Sequence, residues 1–229
     1  MSAGQKTVTS ASGDQVVWAR QLTDRHVRNC RVFPSREDLI SSMPQQTVCA
    51  EVGVQTGYFS AQILARTAPQ ALHLIDRDIS QIRDDRYPEV QSAVQEGVVK
   101  LHEGASADIL ATFPDRYFDW IYIDADHSYA GVVLDIGQAL RVVKQNGLIV
   151  FNDYVKYSAL ELIQYGVMEA VNDLCLTHAF EMVGLALHGL GYFDVALEKC
   201  ATTPMADLAS ACRIIGLRER HPVRFVIGT

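Results

Sequence analysis

From residue 47 onward, short apolar runs alternate with stretches in which apolar residues recur at helical spacing. The apolar runs predict β-strands near residues 47–53, 71–76, 97–102, 118–124 and 147–152. The stretches between and after them predict helices near residues 57–67, 105–112, 129–143 and 158–176. This alternation predicts an α/β fold with a mostly parallel sheet that is covered by helices on both faces.

The two ends of the chain depart from this alternation. Residues 180–188 and 192–199 predict two strands joined by a short turn that contains glycine, which is the pattern of an antiparallel hairpin. Residues 14–30 predict a helix, and Ser35 to Asp38 predict an N-cap that opens a further short helix. Residues 204–214 predict a last helix in a C-terminal tail.

Composition narrows the function. The chain has 229 residues, 48% of them hydrophobic, which suits one α/β domain with small additions. A net charge of −7 argues against general binding to nucleic acid or to an anionic membrane, and no run of about 18 apolar residues predicts a membrane span. Five scattered cysteines without a CxxC pair argue against structural zinc and favour a cytoplasmic location.

A glycine turn after the first predicted strand is the first candidate for a binding site. The pattern is Glu51-x-Gly53-x-x-x-Gly57, which is neither the GxGxxG turn of dinucleotide sites nor a P-loop. Asp76 ends the second predicted strand, where a carboxylate can accept both hydroxyls of a ribose. The alternative for the glycine turn is a strand-helix turn without a ligand. The alternative for Asp76 is that it caps the next helix, a role for which Asp78 is a second candidate.

The motifs EVGVQTG, LIDRD, EGAS, DWIYIDADHSY and KQNGLIVFNDY follow one another between residues 47 and 199. In this order they resemble class I S-adenosylmethionine-dependent methyltransferases, and most closely the broad methyltransferase group with DxDHSY. The resemblance implies a Rossmann-like, doubly wound sheet of about seven strands that is parallel except for one strand of the C-terminal hairpin. Residues 47–199 would then form the methyltransferase domain, preceded by a helical segment or lid (1–46) and followed by an extension (200–229).

The same resemblance implies where S-adenosylmethionine binds. The glycine turn would hold its methionine end, the acid after the second strand its ribose, the EGAS turn its adenine, and the acid after the fourth strand would face the sulfonium and the acceptor. The implied cofactor-binding residues are Glu51, Gly53, Gly57, Asp76, Gly104, Ala105, Ser106 and Asp124.

Asp124, Asn152 and Asp153 follow two predicted strands whose carboxyl ends meet at one edge of the sheet. Three oxygen ligands suit a hard cation such as Mg²⁺. The arrangement resembles metal-dependent O-methyltransferases of the catechol, caffeoyl-CoA and macrolide-sugar types. His127 stands where catechol-type enzymes carry a lysine, so His127 is the predicted general base, assisted by Asp124. The alternative for His127 is that it caps a helix or orients its neighbours. The alternative for the carboxylates is that they bind a substrate amine or cap loops.

These residues predict methyl transfer from S-adenosylmethionine to a hydroxyl of a small molecule, assisted by a divalent metal. A glycosyl, polyol or natural-product acceptor is expected, because sugar hydroxyls need help with deprotonation. The alternatives are a metal-independent N-methyltransferase, an NAD(P)-dependent oxidoreductase and a non-catalytic S-adenosylmethionine-binding module. We expect no nucleic-acid or membrane partner, and the apolar C-terminal hairpin leaves a homodimer open.

Overall fold

A sheet of eight strands organises the part of the chain that the computed structural model describes, residues 7–9, 15–83 and 86–199. The strands are β1 (Thr7–Thr9), β2 (Gln15–Val17), β3 (Arg31–Phe33), β4 (Val48–Val52), β5 (Ala71–Asp76), β6 (Val99–Glu103), β7 (Phe118–Ile123), β8 (Val143–Phe151), β9 (Tyr157–Ser158), β10 (Ile163–Gln164), β11 (Phe180–Ala186) and β12 (Asp194–Lys199). The helices are α1 (Asp24–Val27), α2 (Arg36–Ser41), α3 (Tyr58–Thr67), α4 (Pro88–Gln95), α5 (Ser106–Ala111), α6 (Tyr129–Val142) and α7 (Val167–His178), with a 3₁₀ turn at Ser80–Arg83.

The strand order of the main sheet is β3-β11-β12-β8-β7-β4-β5-β6. Among these described strands only β12 runs antiparallel to its neighbours, which confirms the predicted parallel sheet with an antiparallel hairpin strand. The direction of strand addition reverses between β4 and β7, which pair in parallel. In open α/β sheets this switch point is where ligands bind, beyond the carboxyl ends of the strands.

Helices cover both faces of the sheet. Leu72, Leu74 and Trp120 lie on the face covered by α2, α3 and α4, whereas Ile75 and Ile121 lie on the face covered by α5, α6 and α7. Because alternate residues of each central strand are buried on opposite faces, the strands have near-continuous apolar sequences. The apolar runs of the sequence therefore predicted these strands to within a few residues. In the described part of the chain, no helix is long and apolar enough to cross a membrane.

The predicted helix over residues 14–30 is wrong. Residues 15–17 form β2, which pairs with β1, and only the four residues of α1 are helical. The backbone between them is held by α7 instead: Asn172 Nδ2 donates to the Arg20 carbonyl at 2.7 Å, and Arg20 lies 3.4 Å from Asp173. A backbone that bonds to another element does not need helical hydrogen bonds of its own.

The predicted helix over residues 158–176 begins too early. A small hairpin, β9 and β10, occupies its first part, and α7 begins only after Gly166. Ser158 bonds the Tyr192 hydroxyl at 2.8 Å and accepts from the Glu161 amide, which holds the hairpin against the β11–β12 turn. The N-cap predicted at Ser35 is confirmed, and the helix predicted over residues 204–214 lies outside the described residues.

Two histidines form a buried contact between β5 and β6. His73 Nδ1 lies 2.9 Å from His102 Nε2, and the Tyr117 hydroxyl lies 3.2 Å from the other nitrogen of His73. The rings of Phe113 and Phe118 close the cluster at 4.9 and 5.4 Å from the His73 ring. Burial in this aromatic cluster lowers the pKa of His73 to about 4 and also lowers the pKa of His102.

This cluster predicts a loss of stability in acid. An unfolded histidine takes up a proton near pH 6.5, whereas folded His73 does so only near pH 4, so the free energy of unfolding falls as pH drops between these values. We expect His73→Gln to reduce the loss between pH 7 and pH 4.5 by about 2 kcal/mol, measured by urea unfolding. An equal loss in wild type and variant would contradict this assignment.

Candidate functional site

A cavity of about 610 Å³ opens at the carboxyl edge of the sheet, beyond β4, β5, β6 and β7. Its size suits a small-molecule cofactor and part of a second ligand. All the predicted cofactor-binding residues except Gly57 line it: Glu51, Gly53, Asp76, Gly104, Ala105, Ser106 and Asp124. His127 lines the same cavity, so the structure brings the predicted base and the predicted cofactor residues together.

The glycine turn is shaped by a close approach of two backbones. Gly53 has a φ of +85°, and a Cβ placed on it would lie 1.9 Å from the carbonyl oxygen of Asp124. Gly57 has a φ of +87° and is the N-cap of α3, so its role is to start the helix. The turn therefore needs glycine at position 53 for space as well as for conformation.

Asp76 holds this turn from the next strand. Its Oδ2 accepts the amides of Val54 and Gln55 at 2.7 and 2.9 Å, and its Oδ1 accepts the Asp78 amide at 3.0 Å. Burial alone would raise the pKa of Asp76, but these hydrogen bonds outweigh it and lower the pKa. Asp76 thus holds the glycine turn and lines the cavity, whereas Asp78, the second candidate for the cap, accepts the Ser80 amide at the start of the 3₁₀ turn. Binding of a ribose stays a prediction.

Glu51 and Ser106 face the cavity with their polar groups already engaged. The Glu51 carboxyl is buried and accepts the Ser60 hydroxyl at 2.5 Å, and burial raises the pKa of Glu51 to about 8. Ser106 Oγ donates to buried Asp135 at 2.5 Å, across the gap between α5 and α6. Both contacts fix the walls of the cavity and leave the backbone of the EGAS turn to face a ligand.

His127 lies between two carboxylates. Its Nε2 is 3.4 Å from Asp124 Oδ1 and 3.6 Å from Asp153 Oδ2, and its ring stacks on Tyr165 with centroids 4.5 Å apart. Burial alone would lower the pKa of His127, but the neighbouring Asp124 and Asp153 raise it. Burial, with the charge of Asp124, raises the pKa of Asp153 to about 6. The group can therefore take up a proton at His127 and stabilise it.

The predicted metal ligands are not arranged as one donor set. Asn152 is buried, and its Nδ2 donates to Asp194 Oδ1 at 3.1 Å and to the Tyr122 hydroxyl at 3.2 Å. Among the described residues, no group of three or more His, Cys, Asp and Glu side chains could hold a metal ion. Donation by Nδ2 leaves the Oδ1 of Asn152 available, but Asp124 and Asp153 both contact His127, so the structure does not show the predicted Mg²⁺ site.

The sequence reasoning missed several residues of this site. Arg36 lines the cavity from α2, Tyr165 stacks on His127, and Asp194 is buried in a network with Tyr122. An aspartate directly before the apolar residues 195–197 of β12 was the available signal for Asp194. Nothing in the sequence distinguished Arg36 or Tyr165. Arg36 reaches the cavity, and Tyr165 reaches His127, only through the tertiary fold.

Residues 50–154 match a family of sequences described as the methyltransferase domain. This match makes residues 50–154 similar to methyltransferase domains. Three solved structures share its fold. The pyocyanin biosynthetic protein PhzM is 15% identical, with a TM-score of 0.54 over 73% of this chain and 55% of that protein. The O-methyltransferase TomG of Streptomyces achromogenes, solved with S-adenosylmethionine, is 20% identical, with a TM-score of 0.52 over 68% and 74% of the two chains.

An O-methyltransferase family protein from Burkholderia thailandensis is 15% identical to this chain, with a TM-score of 0.52 over 73% of this chain. The matches cover just over half of PhzM and 56% of the Burkholderia protein. No curated protein shows detectable sequence similarity. The family match and the shared fold confirm the resemblance to S-adenosylmethionine-dependent methyltransferases, and identities of this size carry the fold alone to this chain.

The glycine turn generates a stability prediction. Gly97, with a φ of +78° and no atom within 4 Å of an added Cβ, is a matched control for Gly53. Alanine at either position incurs the left-handed penalty of about 1–2 kcal/mol, but at Gly53 it must also displace the Asp124 backbone. We expect Gly53→Ala to lower the free energy of unfolding by at least about 2 kcal/mol more than Gly97→Ala, measured with urea. Equal losses of unfolding free energy in the two variants would show that the Gly53 and Asp124 backbones leave room for a Cβ.

Proposed function

We propose that this methyltransferase transfers a methyl group from S-adenosylmethionine to a hydroxyl of a small molecule. The observation that carries the proposal is the single cavity that joins the glycine turn and Asp76 to the His127 group. A cofactor held by the turn would present its reactive end to the side of the cavity where a base can accept a proton. Positioning of this kind supplies much of the rate acceleration when the leaving group is already good.

When bound, S-adenosylmethionine supplies a methyl group on a sulfonium. The protein supplies the rest of the reaction. His127 would accept the hydroxyl proton of the acceptor while the acceptor oxygen bonds to the methyl carbon and the carbon–sulfur bond breaks, which leaves S-adenosylhomocysteine. Asp124 and Asp153, at 3.4 and 3.6 Å, stabilise the imidazolium that forms. A raised pKa makes His127 a stronger base than a free histidine.

The acceptor is proposed to be a glycosyl, polyol or other natural-product hydroxyl. Two proteins of similar fold, the pyocyanin biosynthetic protein PhzM and the O-methyltransferase TomG of tomaymycin synthesis, favour a small natural product. Transfer to an amine is the second candidate, because Asp124 and Glu161 line the cavity and could bind a cationic acceptor. The described residues contain no group of His, Cys, Asp and Glu side chains that could hold a metal ion, so the proposed metal is treated as a separate test.

The cofactor is tested by calorimetric titration with S-adenosylmethionine. We expect binding in the micromolar range, which Asp76→Ala weakens at least about tenfold because it removes both the anchor of the turn and the proposed ribose ligand. Asp78→Ala is the matched control, since Asp78 is exposed and caps Ser80 outside the cavity. No binding by folded wild-type protein would overturn the proposed function.

The base is tested with a panel of hydroxyl and amine acceptors, by following formation of S-adenosylhomocysteine. We expect His127→Ala to lower turnover of hydroxyl acceptors by about 10²–10⁴-fold while S-adenosylmethionine still binds. Turnover with amines alone, unaffected by His127→Ala, would favour N-methylation. Parallel assays with chelator and with added Mg²⁺ test the metal, and activity that persists in chelator would exclude a required divalent ion.

A further inference from the structure

Arg36 brings a positive charge to the cavity from outside the methyltransferase motifs. It is the first residue of α2, and its guanidinium carbon lies 4.6 Å from the centre of the Phe59 ring and 6.0 Å from that of Tyr58. Both rings belong to the first turn of α3, directly after the glycine turn. The guanidinium therefore lies over the start of α3, at the end of the cavity where the glycine turn is found.

Arg36 lies among acidic groups but forms few close ion pairs. Among the described residues its ion pair within 4.0 Å is with the adjacent Glu37, at 3.7 Å, and about a quarter of its side chain is exposed. Burial alone would lower the pKa of Arg36, but Tyr122, Asp194 and Asp124 raise it. The guanidinium stays charged and retains donors for a bidentate acceptor.

The groups around Arg36 are otherwise acidic. Glu51 and Asp124 line the same end of the cavity, and Asp153 and Asp194 lie close enough for Arg36 to lower their pKa values. The methionyl part of S-adenosylmethionine carries a sulfonium, an ammonium and a carboxylate. Acidic groups suit the two cations, but the carboxylate needs a cationic partner. The other arginine that lines the cavity, Arg77, follows Asp76 and lies at the ribose end.

We propose that Arg36 binds the carboxylate of the methionyl part of S-adenosylmethionine, an inference that rests on the proposed function. A guanidinium that already stacks on Phe59 is held in place, so less side-chain entropy is lost when the carboxylate binds. The segment before β4 then forms part of the cofactor site. Arg36 would also distinguish S-adenosylmethionine from related cations that lack the carboxylate.

The test compares two ligands that differ in this carboxylate, S-adenosylmethionine and decarboxylated S-adenosylmethionine. We expect Arg36→Met to weaken binding of S-adenosylmethionine by about 10- to 100-fold, because hydrogen bonds to charged groups contribute affinity in this range. We expect the same variant to change binding of the decarboxylated ligand by less than about threefold. Arg36→Lys should recover part of the lost affinity, because it restores the charge without the bidentate geometry.

Arg31→Met is the matched control. Arg31 also stacks on an aromatic ring, with its guanidinium carbon 4.6 Å from the centre of Phe33, but it does not line the cavity. We expect it to leave both affinities unchanged. Urea unfolding of Arg36→Met and Arg36→Lys establishes that each variant is folded.

The outcomes separate this inference from the proposed function. Equal weakening of both ligands by Arg36→Met would overturn it, since Arg36 would then only shape the cavity. Unchanged affinity for S-adenosylmethionine with a raised KM for the acceptor would also overturn it, and would assign Arg36 to an anionic acceptor. If wild-type protein bound neither ligand, the proposed function would fail together with the inference.

Discussion

The site depends on the approach of two backbones where β4 and β7 end. Gly53 and the carbonyl of Asp124 meet with no space for a side chain between them. This contact exists because β4 and β7 are parallel neighbours at the switch point of the sheet, so their carboxyl ends reach the same edge. It sets the glycine turn beside the strand end that carries Asp124 and His127. The cavity is formed between these segments.

Charge is distributed unevenly around this cavity. Carboxyl groups dominate the end near the glycine turn, and burial raises the pKa values of Glu51 and Asp153. Arg36 and Arg77 are the arginines that line the described cavity. Such a mixture of carboxyl groups and arginines suits a ligand that carries charges of both signs, and a neutral His127 beside Asp124 and Asp153 is a candidate proton acceptor. The physical logic of the site is thus electrostatic complementarity combined with one base.

Most of the sheet was predictable because its central strands are buried on both faces. Near-continuous apolar runs such as ALHLID and FDWIYI leave little choice of structure, and the predicted hairpin is confirmed by β11 and β12. The failures fall where another element satisfies the backbone. Within the first helix that was wrongly predicted, the Arg20 carbonyl bonds to Asn172 of α7. At the start of the helix predicted from residue 158, the chain forms a hairpin that is held by Tyr192. Local periodicity contains no information about such partners.

The sequence by itself determined the fold class, the glycine turn and those lining residues that follow the ends of strands, such as Asp76 and Asp124, because these follow from burial and from strand order. Only the tertiary structure showed that Asp76 ties down the turn, that Asn152 bonds Asp194 in the core, and that Arg36 reaches the cavity from α2. These contacts join residues that are distant in the chain. Their partners are selected by packing of the whole sheet, which no local pattern of residues specifies.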